Sequence, residues 1–218
     1  MTAMNAMAWR RVAGSVLVAT ALVTSLSACA PLVFGGAVGT GVMVATDRRT
    51  SGAQLEDQGI EMRASASLRE AFGNRARVVV TSYNRRVLLT GEVPSETDRA
   101  LAVRIVSSVE NVMEIVDELA VMASPSLPAR SSDALVTARV KAALIDAQDL
   151  FANAFKVVTE RGTVYLMGRV TQREADRATD VTRSVPGVQR VVRVFEIISE
   201  EELARIQPHQ TPDGAASR

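Results

Sequence analysis

Few side chains in this 218-residue sequence are of the types that carry catalysis. There is one cysteine, Cys29, and one histidine, His209, which lies beside Pro208 in a polar stretch. No Cys/His cluster can be drawn to hold a metal, and no Ser-His-Asp or Cys-His pairing to activate a nucleophile. Gly35-Gly36 and Gly39-x-Gly41 neither follow a strand nor precede a Lys-Ser/Thr pair, so they do not make a phosphate loop. Asp146 and Asp149 read as solvated charges at a helix end. We therefore expect no catalytic residues, no metal and no cofactor. A carboxylate-only enzyme is the alternative that the residues leave open. What remains is the chemistry of Cys29 itself, and of surfaces.

Cys29 follows Leu26-Ser27-Ala28, which closes an apolar run from Val12 behind Arg10 and Arg11. A charged start, an apolar run too short for a comfortable membrane span and small residues before the cut make a secretion signal. The only cysteine stands where a lipobox requires one. An ordinary cleavage region with a chance cysteine is the weaker alternative. The resemblance to bacterial lipoprotein signals implies cleavage before Cys29, diacylation of its sulfur and acylation of the new amino group. Ala30 lacks the aspartate associated with inner-membrane retention, which by the same analogy implies the outer membrane, facing the periplasm. Two or three acyl chains amount to near-permanent anchoring, since each buried methylene adds about 0.8 kcal/mol. Removal of residues 1–28 leaves 190 residues with 23 basic and 24 acidic groups, and no free thiol for a disulfide.

The elements that would position any site come from an internal repeat. Val87-Leu88-Leu89-Thr90-Gly91-Glu92-Val93 returns as Val164-Tyr165-Leu166-Met167-Gly168-Arg169-Val170. Ile60, Ala64 and Leu68 match Val136, Val140 and Leu144, and Val109–Val112 matches Val185–Val188, all at an offset of 76 or 77. Each copy predicts a helix (59–72 and 133–147), a hairpin of two strands (78–82 with 87–93; 155–159 with 164–170), a second helix (96–108 and 172–184) and a last strand (114–121 and 189–198). Asn84-Arg85 and Arg161-Gly162 suit tight turns, with Asn84 carrying the positive φ in the first copy. The expected class is α+β: two tandem αββαβ domains, each with two helices on one face of a three-stranded mixed sheet. The division is signal peptide 1–28, lipidated cysteine and flexible tether 29–56, first domain 57–121, linker 122–130, second domain 131–198 and polar tail 199–218. A Gly-rich coil from Cys29 to Asp57 would span about 30 Å, keeping the folded part close to its leaflet.

The Gly-centred strand block, the valine-glycine-valine-type block before the last strand and the αββαβ order resemble the BON family. The duplication behind a lipobox, with Ala45-Thr46-Asp47-Arg48 ahead of the first copy, resembles its two-domain lipoproteins. That resemblance implies a lipoprotein supporting envelope integrity, which binds anionic phospholipid through the first helix of the second domain. It also implies contact with the outer-membrane β-barrel assembly machinery and concentration at division sites.

The residues give that helix some support. Val136, Val140, Ala143, Leu144 and Ala147 form one stripe, for the sheet. Leu135, Ala138, Ala142 and Ile145 form a second, with Arg139 and Lys141 at its margins. An apolar strip between cations suits an anionic lipid interface. The residues alone equally allow the strip to cover the other repeat or another protein. The counterpart in the first copy, Gly59, Met62, Ala66 and Arg69, lacks two of the large apolar groups, so only the second helix looks equipped. By the resemblance, an aromatic is expected at the position of Leu135, and this sequence has none. Residues 57–121 hold 8 basic and 10 acidic groups and residues 131–198 hold 10 and 8, so the copies differ in sign. The net charge of +1 gives no sign of nucleic-acid binding, and no small-molecule substrate is expected. The rival reading is a scaffold whose two copies bind proteins or peptidoglycan-associated partners, with lipid contact incidental.

Overall fold

The structure is a computed structural model and describes residues 47–122 and 127–206. Cys29, the expected signal segment, the glycine-rich segment, residues 123–126 of the expected linker, His209 and the other residues after 206 lie outside the described residues.

The first repeat comprises α1 (Ser51–Phe72), β1 (Arg77–Tyr83), β2 (Arg86–Val93), α2 (Glu96–Ser107), β3 (Glu114–Asp117) and β4 (Ala120–Val121). The second comprises α3 (Leu127–Asp146), a 3-10 turn (Ala152–Ala154), β5 (Lys156–Glu160), β6 (Thr163–Val170), α4 (Gln172–Arg183), β7 (Arg190–Ile197) and a short α5 (Glu200–Ile206). In each sheet the middle strand, β2 or β6, runs antiparallel to the strand before it and parallel to the strand after it. This is the expected α+β arrangement, except that the last strand expected over 114–121 is broken at Glu118-Leu119 into β3 and β4, both parallel to β2, so the first sheet has four strands and not three.

Period-two alternation places alternate side chains on opposite faces of each sheet. Val87, Leu89 and Val93 of β2 join Ile60, Ala64 and Leu68 of α1 in one core. Val164, Leu166 and Val170 of β6 join Val136, Val140 and Leu144 of α3 in the other. The residues between them go elsewhere: Leu88, Tyr83, Tyr165, Met167 and Val194 make a third cluster, shared by both repeats. The two sheets therefore pack against each other through the faces that carry no helices. Ion pairs rim this contact, with Arg77 to Glu160 at 3.0 Å, Arg161 to Glu92 at 2.6 Å and Arg190 to Glu118 at 2.6 Å.

Four local expectations are corrected. The helix expected from residue 59 begins at Ser51, because Thr50 caps it by accepting a hydrogen bond from the Ala53 N–H at 3.1 Å. The flexible tether expected through residue 56 thus does not extend over 51–56. α3 begins at Leu127, inside the expected linker, since proline near a helix start loses no intrahelical bond. The tail expected to be loose from 199 holds α5, whose Leu203 is buried and whose Glu202 accepts from Arg169 at 2.6 Å. Both hairpin turns have positive φ at both central residues, 50° and 68° in each, so Arg85 shares the burden assigned to Asn84.

Candidate functional site

α3 is held by one face only. Val136, Val140 and Leu144 are buried against the sheet, while Ala143 and Ala147 are half-buried. The second stripe points to solvent: Leu135 is 59% and Ile145 69% exposed, and Ala138 and Ala142 between them are exposed as well. The neighbouring repeat does not cover it, because the repeats meet through their sheets, and the helix residue that takes part, Glu61 with Lys156 at 2.9 Å, is on α1 and not on α3. Arg139 and Lys141 are exposed on its two flanks. Asp146 is also exposed and closes the strip at its C-terminal end, where a carboxylate opposes an anionic surface. No helix among the described residues is long and apolar enough to cross a membrane.

The two flanking cations differ. Arg139 Nη1 donates to the Pro186 carbonyl at 3.3 Å, and its repeat counterpart Arg63 donates to the Glu110 carbonyl at 3.3 Å. Both pin the loop before the last strand, so Arg139 has a structural duty at 76 residues' offset. Lys141 has no ion pair among the described residues, and Ser65 stands in its place in the first copy. The outer face of α1 is richer than expected: Met62 and Leu55 are both exposed, the latter because the helix starts early enough to include it.

Two arrangements escaped the sequence reading. Asp57 and Asp133, again 76 apart, each cap their own hairpin turn. Asp133 accepts from the Arg161 and Gly162 N–H groups at 2.8 and 2.9 Å, and Asp57 from those of Asn84 and Arg85 at 2.7 and 2.8 Å. The repeat offset was the signal that could have found them. The second is a clasp ahead of α1. Arg48, 6% exposed, forks onto both Glu174 oxygens at 2.8 and 2.7 Å and donates to the Arg169 carbonyl at 2.9 Å. Arg49 reaches Asp57 at 2.7 Å and lies 4.1 Å over the Tyr83 ring. Adjacent arginines thus tie the chain to both repeats. Burial raises the Glu174 carboxyl pKa, but hydrogen bonds from Arg48 and the Thr171 N–H outweigh it and hold it below its ordinary value. Asp57 is held low likewise, burial being outweighed by Ser82, the Arg85 N–H and Arg49.

Among the described residues no group of three His, Cys, Asp or Glu side chains could hold a metal ion.

The BON domain model matches residues 56–123 and 132–199, and the chain belongs to the BON family as a protein with two tandem copies. It is a DolP-like envelope lipoprotein of the outer membrane. The outer membrane lipoprotein DolP of Haemophilus influenzae is 35% identical over 175 residues, covering 79% of this chain and 90% of that protein. A 21 kDa hemolysin of Actinobacillus pleuropneumoniae is 31% identical, covering 70% and 79%. The osmotically inducible protein Y of Escherichia coli is 28% identical over 63% of this chain and 70% of its own length. None of these names describes a reaction.

Proposed function

We propose that acyl groups on Cys29 hold the chain in the outer membrane, with its folded part in the periplasm, and that the outer face of α3 rests on anionic phospholipid in that leaflet. It would perform no reaction of its own. The observation that carries this is a solvent-facing strip of Leu135, Ala138, Ala142 and Ile145 between Arg139 and Lys141, on a helix whose other face is fully used by the core. Leu135 and Ile145 supply apolar area, and each cation near an anionic surface contributes roughly 1 kcal/mol, diminishing with salt. Such contact is weak for a free domain. Attachment to the same leaflet raises the effective concentration to the millimolar range, where weak contacts count. The strip therefore serves to choose where in the membrane the protein dwells, and through that supports envelope integrity. The β-barrel assembly machinery and division-site residence enter this reading from the family resemblance.

Lys141→Glu is the cleanest test, because Arg139 also holds a loop. Phosphatidylglycerol micelles titrated into the labelled protein should shift resonances within 131–147, and Lys141→Glu with Leu135→Ser should remove those shifts. Shifts that persist in the double variant, or that fall outside α3, would favour the protein scaffold instead.

A further inference from the structure

β1 is an edge strand, with β2 on one side and no strand on the other. Tyr83 and Arg86 close the two-residue hairpin, so odd-numbered residues of β1 bond to β2, while Ser82, Val80 and Val78 turn their N–H and C=O groups outward. At Ser82 the edge is already occupied: its N–H donates to Glu61 at 2.8 Å and its carbonyl accepts from Lys156 at 3.1 Å. Towards Val80 and Val78 it stays open, with three consecutive valines and no proline or inward charge to guard it.

A groove of about 490 Å³ runs beside this edge, between β1 and the last turns of α1, floored by Leu68, Phe72 and Ala76. It shares Ser65, Arg69 and Val80 with a second groove of about 520 Å³ that extends along α1 past Met62. Gly73, at the end of α1, faces open space.

The second repeat fills the equivalent place with its own chain. Between α3 and β5 it carries Leu150, Phe151 and Ala152, which pack on the core. Its 3-10 turn presents the Ala152 carbonyl to the Phe155 N–H at 3.2 Å. Phe155 stands 77 residues after Val78, at the matching point of the edge. Where the second copy has that apolar loop, the first has Gly73-Asn74-Arg75-Ala76. One copy covers the start of its edge with its own loop and the other does not.

Charge says what fits. Arg69 and Arg77 line the first groove, with no carboxylate among its lining residues, and Arg77 is already engaged by Glu160 and Glu92, which leaves Arg69 as the free charge of its lining. Glu61, in the adjoining groove, is already engaged by Lys156 at 2.9 Å. Arg69 is exposed, with no ion pair among the described residues. We propose that the outer edge of β1 and the groove beside it receive an extended peptide segment of another protein, added as a strand. Its apolar side chains would seat on Leu68 and Phe72, and an acidic side chain would meet Arg69. Strand addition supplies affinity through main-chain hydrogen bonds and selectivity through alternate side chains.

The test uses the full chain in detergent micelles and three fluorescent peptides of about eight residues: alternating Val-Glu, alternating Val-Lys, and the Val-Glu peptide N-methylated at every second residue. Anisotropy should show saturable binding of the first. The second and third should bind at least about ten-fold more weakly, as should the first against Arg69→Glu, whereas Arg205→Glu, on the exposed face of α5, should leave binding unchanged. The proposal is overturned if methylation makes no difference, if Arg69→Glu makes no difference, or if no peptide saturates at millimolar concentration.

Discussion

Arg48 and Glu174 are a buried ion pair, and such a pair contributes most visibly when half of it is removed. Glu174→Ala leaves the Arg48 guanidinium buried without its carboxylate and should cost about 3–5 kcal/mol, whereas Arg48→Met with Glu174→Leu should cost much less. Urea unfolding of the variants measures both; equal losses would show that the pair acts by shape alone. The same carboxylate shapes the acid response, together with Asp57. Both have native pKa values below their ordinary ones, so the unfolded chain binds more protons than the folded one as pH falls. Their contribution is complete above the unfolded values and is lost as pH drops through the native ones. The urea midpoint should hold down to about pH 5 and fall below about pH 4. A midpoint that rises on acidification contradicts this assignment.

At the level of elements, the Gly-centred strand blocks acquire a cause. A Cβ on Gly91 would lie 2.0 Å from the Arg77 carbonyl oxygen, and one on Gly168 would lie 2.4 Å from that of Ala154. Both obstacles are backbone, of β1 at Gly91 and of the 3-10 turn before β5 at Gly168, and backbone cannot step aside as a side chain can. Gly91 also has φ of 110°, which L side chains rarely adopt. Gly91→Ala and Gly168→Ala should each destabilise by at least about 2 kcal/mol in thermal unfolding, with Gly91→Ala the worse. A neutral effect at either would mean the hairpin can open without loss. The repeat made these hairpins and the paired helices legible from spacing alone. Helix starts were less so, because Thr50 and Leu127 act through local hydrogen bonding and proline placement that apolar periodicity does not register.

For the whole molecule, the contact between the two sheets decides most. Met167 and Leu88 are fully buried between the repeats, so folding of one half is tied to folding of the other. Calorimetry should show one transition for the protein and two for Met167→Arg, which places a charge in that contact without touching either helix-covered core. A single unshifted transition in the variant would show that the repeats fold independently. The contact was foreshadowed in Val164-Tyr165-Leu166-Met167, which is apolar at every position where a sheet with one wet face would alternate. It also explains why α3 has a bare outer face: the sheets take up the surface that each repeat offers the other.

The sequence by itself determined the class of fold, the duplication, the hairpins, the family and the apolar strip of α3 with its cations, because each is written in local spacing. The tertiary structure alone decided that the strip faces solvent, that Arg48 and Arg49 clasp both repeats, and that the start of the β1 edge is open where a loop covers its counterpart. These depend on which surfaces meet between residues far apart in the chain, as with Arg48 and Glu174, and periodicity within one element carries no information about its partner.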